Sequence, residues 1–203
     1  MYILFGGTFN PIHYGHLFTA NYIYNYFKCS KIIFLPNKQP YYKKKTKISC
    51  KKRVKMLKLA IKKKFEINLL EVKNKKKLYT INTIILIKKK IKKNIYFLMG
   101  YDSLINFYKW YKWESILKIC NILVIKRKNK IYKNIKKKIK KFITYDIYKF
   151  LKNKNGLIFV FNNFEVNISS SNIRKRYKKN KSCTGMLPKI VDNFIKKNKL
   201  YKN

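Results

Sequence analysis

The sequence predicts a doubly wound α/β fold, in which a parallel sheet carries helices on both faces. Short apolar runs typical of buried strands alternate with amphipathic stretches typical of helices along the whole chain, and this alternation indicates a parallel sheet. The length of 203 residues suits one domain with a sizeable core. We therefore expect residues 1–203 to form a single domain.

Apolar runs that end at glycine, at proline or at charged residues mark the predicted strands. Residues 2–5, YILF, run into a pair of glycines, and residues 31–36 stop at Pro36. The other predicted strands have the same character and cover residues 65–70, 95–100, 121–127 and 156–161.

The predicted helices lie between these strands. They cover residues 14–27, 50–63, 79–91, 168–177 and 186–200. In the second helix, Val54, Leu57 and Ile61 share one apolar stripe. Thr80 suits the cap or the first turn of the third helix, and Pro188 suits the first turn of the last.

Two lysine-rich stretches carry little periodicity. Residues 37–48 predict a polar, basic loop. Residues 128–154 are weakly patterned, and we expect a variable surface segment there.

The formal net charge of +44 has three interpretations: a nucleic-acid-binding protein, a field that attracts small anionic substrates, or drift toward the A/T-rich codons of lysine. Only four of the 51 basic residues are arginines, although arginine is the preferred reader of phosphates and bases. The lysines are also spread over the whole chain. This distribution favours drift, with attraction of anionic substrates as a by-product, and predicts no specific nucleic-acid partner.

The four cysteines are far apart and form no C-x-x-C pair, which makes a zinc site or a disulfide framework unexpected. We expect free thiols in a reducing, cytoplasmic environment. No apolar run reaches the length of a membrane span, and residues 1–5 lead into a glycine turn as a strand does, so we expect neither a membrane segment nor a signal peptide.

Scarce residue types gather in residues 5–16, FGGTFNPIHYGH. Both histidines of the chain, His13 and His16, and three of its six glycines lie here. Glycines let the backbone approach a phosphate and tolerate a positive φ, and the helix that follows offers unpaired N–H groups. The histidines can donate hydrogen bonds to phosphate oxygens. The arrangement suits attack at an α-phosphorus with pyrophosphate as the leaving group.

Other interpretations of this stretch are weaker. H-x-x-H could hold a metal, but no nearby cysteine or acidic residue completes a ligand set. The G-x-G-x-x-G and G-K-[ST] phosphate motifs are absent. A structural pair of histidines would not explain the glycines.

Two later stretches carry further candidate residues. In residues 167–176, NISSSNIRKR, serines at a helix start followed by Arg174 predict an anion site, although a simple serine cap with a surface arginine also fits. In residues 99–117, Gly100 and Asp102 follow a strand end, where α/β proteins bind ligands. Trp110 could stack on a flat ring, while core packing is the expected fate of at least one of the two tryptophans.

Together these stretches resemble the H-x-G-H nucleotidyltransferases, and among them the bacterial nicotinate-nucleotide adenylyltransferases. The resemblance covers almost the whole chain and implies a Rossmann-like nucleotidyltransferase fold. The matching segments are GGTFNPIHYGH (6–16), LPNKQP (35–40), KRVKML (52–57), YTINT (79–83), GYDS (100–103), WYKWESIL (110–117), NISSSNIR (167–174) and LPKIVDNFIKKNKLY (187–201).

The resemblance implies roles for particular residues. His13, His16 and Arg174 would be catalytic. The ATP site would be formed by Gly6, Gly7, Thr8, Phe9, Gly15, His16, Gly100, Asp102, Ser169 and Arg174. The acceptor site would be formed by Tyr79, Thr80, Thr83, Trp110 and Lys43. Mg²⁺ would bridge the ATP phosphates and need few protein ligands, so no side chain is assigned to a metal.

The chain departs from the family pattern at two places of interest. Asn10 replaces the acid of the family's FDP, and an asparagine can also supply a turn hydrogen bond. In the family's PPHK loop, here PYYK (40–43), Tyr42 replaces a histidine while Lys43 keeps a basic group.

The expected function is therefore transfer of the adenylyl group of ATP to nicotinate mononucleotide, giving deamido-NAD and pyrophosphate in NAD biosynthesis. The alternatives are a related adenylyltransferase acting on nicotinamide mononucleotide or phosphopantetheine, and a basic nucleic-acid-binding protein without catalysis. The expected partners are the two substrates, and a homo-oligomer is compatible with the sequence.

Overall fold

The described strands form one parallel sheet of seven. The computed structural model describes residues 1–39, 46–75, 78–127, 134–164 and 168–202. The strands are β1 (Tyr2–Gly7), β2 (Lys31–Pro36), β3 (Phe65–Ile67), β4 (Ile95–Gly100), β5 (Asn121–Arg127), β6 (Ile143–Thr144) and β7 (Ile158–Phe164). The order across the sheet is β3-β2-β1-β4-β5-β7-β6, and every paired neighbour is parallel. The predicted doubly wound parallel sheet is confirmed.

Helices connect the strands. They are α1 (Tyr14–Tyr26), α2 (Cys50–Ala60), α3 (Leu70–Lys73), α4 (Thr80–Ile91), α5 (Tyr101–Leu104), α6 (Trp113–Ile119), α7 (Lys137–Lys140), α8 (Ile147–Lys152), α9 (Ser170–Lys178) and α10 (Lys189–Lys197), with a 3-10 turn at Phe107–Lys109. The chain runs outward from β1 to β2 and β3, and then returns to β4 on the other side. This reversal opens a crevice at the carboxyl ends of β1 and β4.

Two cores cover the two faces of the sheet, because successive side chains of a strand point to opposite faces. In β1, Ile3 and Phe5 lie in one core, and Leu4 lies in the other. The first core packs against α1, α2, α8, α9 and α10, and the second against α4, α5, α6 and α7. The long α1 and α9 therefore lie on the same face and can present their first turns to the same crevice.

Residues 134–154 are the described part of the lysine-rich stretch 128–154, and most of them are exposed, as expected for a surface segment, but they also contain regular structure. Residues 134–154 contain α7, β6 and α8, and the side chains of Ile139 and Phe150 are fully buried. The sequence pattern did not reveal these elements, because each is only two to six residues long and too short to show a clear periodicity. Residues 128–133 lie outside the described part.

Several boundaries differ slightly from the predictions. The strand at Phe65 ends at Ile67, since the chain turns directly into α3 at Leu70. Thr80 lies in the first turn of α4, after Tyr79 at the cap position. Pro188 is the cap residue of α10 and precedes its first turn. In the described residues, no helix is long and apolar enough to cross a membrane.

Candidate active site

A cavity of about 430 Å³ opens at the carboxyl ends of the central strands. Its lining comes from the segments that follow β1, β2 and β4 and from the first turns of α1, α4 and α9. The cavity brings together nearly all residues that the sequence assigned to a site: Gly6, Gly7, Thr8, Phe9, His13, Gly15, His16, Tyr79, Thr80, Gly100, Asp102, Trp110, Ser169 and Arg174.

The turn between β1 and α1 is built around a buried aromatic side chain. Phe9 has a φ of 46°, in the left-handed region that bulky residues rarely adopt, and it is only 2% exposed. Its ring packs against Phe5, Phe34 and His16, with centroid distances of 5.7, 5.5 and 5.1 Å. The peptide bond between Asn10 and Pro11 that follows is cis. Packing of Phe9 thus holds the turn in an unusual conformation next to the cavity.

The glycines of this turn provide space and not a positive φ. Among the described glycines, only Gly156 and Gly185 have a positive φ, so that part of the expectation is wrong for the turn. A Cβ on Gly15 would lie 2.9 Å from Cε1 of His13 and 3.2 Å from the carbonyl oxygen of Ile168. Gly15 therefore lets the two histidines and the segment before α9 approach one another.

The two histidines stand together at the start of α1. His13 occupies the cap position and is 4% exposed, and the backbone N–H of His16 donates to the carbonyl of His13 at 2.9 Å. The ring centroids lie 3.8 Å apart with the planes inclined by 32°. Both side chains line the cavity beside the N-terminal turn of a helix of 13 residues. The pair is thus placed where an anion is favoured.

The first turn of α9 lines the cavity beside the first turn of α1. The hydroxyl of Ser169 accepts a hydrogen bond from the N–H of Asn172 at 3.2 Å, so Ser169 is the helix cap. The guanidinium of Arg174 donates to the carbonyl of Asn10 at 2.8 Å, and the hydroxyl of Ser170 donates to the carbonyl of Pro11 at 2.9 Å. Ser169 thus caps the helix, and both Ser169 and Arg174 line the cavity.

Aromatic side chains form a second part of the cavity. The ring of Tyr79 stacks on Tyr111 at 4.4 Å, and Trp110 makes edge contacts with Phe97 and Phe107. Trp110 lines the cavity. The other tryptophan, Trp113, is 9% exposed and packs in the core, as expected for at least one of the two.

Two of the assigned residues, Thr83 and Lys43, are not among the described residues that line the cavity. Thr83 is fully buried and is not part of the cavity lining; its hydroxyl donates to Oε1 of Glu71 at 3.0 Å. The same hydroxyl lies 3.4 Å from the carbonyl oxygen of Tyr79, so Thr83 contacts two residues of the cavity lining, Glu71 and Tyr79. Lys43, like Tyr42, lies outside the described residues.

Glu71 lines the cavity, although sequence reasoning did not select it. Burial raises the pKa of its carboxyl to about 7, against a smaller lowering by the hydrogen bond from Thr83. In the described part of the chain, no ion pair to Glu71 is formed. A sequence signal existed, since the chain has only seven acidic residues.

Arg53 is a second residue that sequence reasoning passed over. Its side chain is fully buried in α2, and its guanidinium donates to the carbonyls of Thr8, Asn37 and Lys38 at 2.6, 2.8 and 2.8 Å. Arg53 thereby ties the turn after β1 to the segment after β2. The sequence signal for Arg53 was its residue type, because arginine is scarce in this lysine-rich chain.

The electrostatics of the cavity favour an anionic ligand. The first turns of α1, α4 and α9 face it, and each helix N-terminus carries partial positive charge. Arg174 adds a full charge. The geometry therefore suits a phosphate chain beside an aromatic subsite.

Comparison with known proteins agrees with this geometry. The family model described as cytidylyltransferase-like matches residues 4–176. The protein of Buchnera aphidicola subsp. Acyrthosiphon pisum (strain Tuc7) named probable nicotinate-nucleotide adenylyltransferase is 42% identical over 98% of this chain and 95% of its own length. The protein of that name from Wigglesworthia glossinidia brevipalpis is 37% identical over the same shares of the two chains.

Solved structures share the fold. The nicotinic acid mononucleotide adenylyltransferase of Plasmodium falciparum, complexed with NaAD, superposes with a TM-score of 0.73 over 98% of this chain and 96% of that chain, at 20% identity. At that identity the likeness speaks for the fold alone. The family model and the curated relatives show the family to which the chain belongs. It belongs to the nicotinate-nucleotide adenylyltransferases of the cytidylyltransferase-like family.

Proposed function

We propose that the protein transfers the adenylyl group of ATP to nicotinate mononucleotide, giving deamido-NAD and pyrophosphate. The observation that carries the proposal is the shared cavity. It joins a phosphate-binding part, formed by His13, His16 and Arg174, to an aromatic part, formed around Tyr79 and Trp110. Adenylyl transfer to nicotinate mononucleotide requires both parts. The phosphate-binding part would hold the phosphate chain of ATP, and the aromatic part would hold the pyridine ring of the acceptor, so that the two substrates meet at one phosphorus atom.

The phosphate chain of ATP would lie across the first turns of α1 and α9. Backbone N–H groups, the imidazoles of His13 and His16 and the guanidinium of Arg174 would stabilise the charge that develops on the departing oxygens. Gly15 leaves the space for this approach, since any side chain there would meet His13. These groups act by position and charge and form no covalent bond to the substrate.

The acceptor would bind with its pyridine ring in the aromatic part of the cavity. The N-terminal turn of α4, at Tyr79 and Thr80, offers N–H groups to the nicotinate carboxylate. A phosphate oxygen of the acceptor would then form a bond to the α-phosphorus of ATP as the bond from that phosphorus to the bridging oxygen breaks. Pyrophosphate carries away the electron pair of the broken bond, and the step needs no further reactant.

Mg²⁺ is proposed as the cofactor, bound with the ATP phosphates. Mg²⁺ prefers oxygen ligands and keeps several waters, so phosphate oxygens and water would supply most of its ligands. Asp102 and Glu71 are the carboxylates of the cavity lining. When bound, the ion supplies neutralisation of phosphate charge.

We also propose that the protein works in the cytoplasm. The four cysteines are free thiols in the structure, and three of them are buried, which suits a reducing compartment.

Pyrophosphate release tests the proposal. The purified protein is incubated with ATP and Mg²⁺ and with nicotinate mononucleotide, nicotinamide mononucleotide or phosphopantetheine. We expect release with nicotinate mononucleotide above the other two. Absence of release with nicotinate mononucleotide contradicts the proposal, and release with phosphopantetheine alone supports that alternative. Tight, salt-resistant binding of nucleic acid without turnover supports the non-catalytic alternative.

A further inference from the structure

The segment that follows α10 returns to the turn that carries the histidines. Tyr201 is partly buried and has a φ of 65°. Its ring lies beside the ring of Tyr177, with the centroids 6.0 Å apart. The hydroxyl of Tyr201 donates to Oδ1 of Asn10 at 2.6 Å, across 191 positions of sequence. The contact joins the far end of the described chain to the cavity lining, which includes Asn10.

Asn10 is held from two sides at once. Its side chain accepts the hydroxyl of Tyr201, and its backbone carbonyl accepts the guanidinium of Arg174 at 2.8 Å. Asn10 itself is only 8% exposed. A residue three positions before His13 is thereby fixed both in its backbone and in its side chain.

The chemistry of the pair explains why an asparagine can stand at this position. Burial raises the pKa of Tyr201, although Arg174 and Arg53 oppose the shift, so the hydroxyl keeps its proton and acts as a donor. A donor requires only an oxygen acceptor, which the amide of asparagine supplies as well as a carboxylate would.

From these contacts we infer that Tyr201 is a positioning residue: its hydrogen bond to Asn10 sets the turn that aims His13 and His16 at the phosphate chain. Tyr201 does not line the cavity and touches no reacting atom. Its contribution passes through Asn10, and the loss of its hydroxyl lowers the rate of the chemical step more than the binding of either substrate. The kinetic part of this inference rests on the proposed function.

The test compares Tyr201→Phe with Tyr177→Phe. Tyr177→Phe is the control, because Tyr177 is a buried tyrosine of the same region whose hydroxyl donates to Asp192 and not to Asn10. We expect Tyr201→Phe to lower kcat about tenfold, with KM for both substrates within about twofold of the unchanged protein. Tyr177→Phe leaves kcat unchanged. In an Asn10→Ala background, Tyr201→Phe lowers kcat no further, because the bond is already lost.

A second readout needs no substrate. The chain has only two histidines, so NMR of the imidazole C–H groups reports His13 and His16 without overlap. We expect their signals to move in Tyr201→Phe and to stay in place in Tyr177→Phe. If the unchanged protein shows no turnover, the proposed function fails and these signals alone decide the role of Tyr201. Equal effects of the two variants on kcat and on the imidazole signals, or a further loss of kcat in the Asn10→Ala background, would overturn the inference.

Discussion

The imidazole rings of His13 and His16 lie 3.8 Å apart, centroid to centroid, at the first turn of α1. Gly15 directly precedes His16, and its lack of a side chain leaves room for the ring of His13. The rings therefore form one unit that faces the cavity, and substitution of either ring changes the surroundings of the other.

Removal of one histidine is expected to abolish most of the activity. His16→Ala should lower kcat on the order of 100-fold or more, because a preorganised donor to the developing charge is lost. His13→Ala should do the same, and the double variant should be little worse than either single one. Steady-state pyrophosphate release measures the effect. Tyr14→Phe is the control from the same turn, since Tyr14 does not line the cavity. A kcat within twofold of the unchanged protein in both alanine variants would contradict the shared role.

Gly15→Ala should disturb the site by a steric clash. Its Cβ would lie 2.9 Å from the ring of His13 and 3.2 Å from a backbone oxygen, and a backbone atom cannot easily yield. We expect a loss of about 1–3 kcal/mol in the free energy of unfolding and a lower kcat. Gly100→Ala is the control for stability, because its Cβ would meet nothing within 4 Å. Equal stability of the two variants in denaturant unfolding would refute the close approach.

Arg53→Met should both lower the free energy of unfolding and raise the KM for ATP. The substitution removes the charged donor shared by three backbone carbonyls, which should cost about 3 kcal/mol of unfolding free energy. The turn after β1 then loses its tie to the segment after β2, and KM for ATP should rise. Lys55→Met, an exposed position on the same helix, is the control and should change stability by less than about 0.5 kcal/mol. Urea unfolding and ATP titration check both effects; an unchanged KM would show that the tie serves stability alone.

Glu71 should make stability depend on pH. Its pKa is about 7 in the folded protein, against an ordinary value of 4.5, so the folded state holds the proton more tightly than the unfolded state. The contribution of Glu71 to stability therefore falls as the pH rises from about 4.5 to about 7 and is constant above that range.

Glu71→Gln removes this dependence. At about pH 8 the variant should exceed the unchanged protein in free energy of unfolding by on the order of 3 kcal/mol, and the difference should vanish near pH 4. Glu114→Gln, at an exposed position of α6, controls for the substitution itself. A difference between the two proteins that does not change with pH would contradict a raised pKa at Glu71.

The sheet and the centre of the site were predictable because they depend on local patterns. The predicted strands at 31–36, 95–100 and 121–127 have the observed bounds, since apolar runs closed by glycine, proline or charge mark buried strands. The cluster around His13 was visible because histidine and glycine are scarce in a lysine-rich chain. Parallel strands then bring the segments after them to one edge.

The remaining features depend on contacts between distant positions. Arg53 donates to carbonyls of two loops, and a backbone carbonyl leaves no mark in a sequence. Tyr201 reaches Asn10 across 191 positions. The unusual φ in the turn belongs to Phe9, where packing against Phe5 and Phe34 outweighs the preference of the residue type. Such features follow from the folded arrangement and not from local pattern.

Competition between two acceptors tests the central claim most directly. The protein is given ATP, Mg²⁺ and equal amounts of nicotinate mononucleotide and nicotinamide mononucleotide, and the dinucleotide products are separated by mass, so that their ratio gives the ratio of kcat/KM. The account predicts that deamido-NAD dominates and that its rate of formation falls on the order of 100-fold or more in the His16→Ala variant. A predominance of NAD, or the absence of any dinucleotide from the unchanged protein, would contradict it.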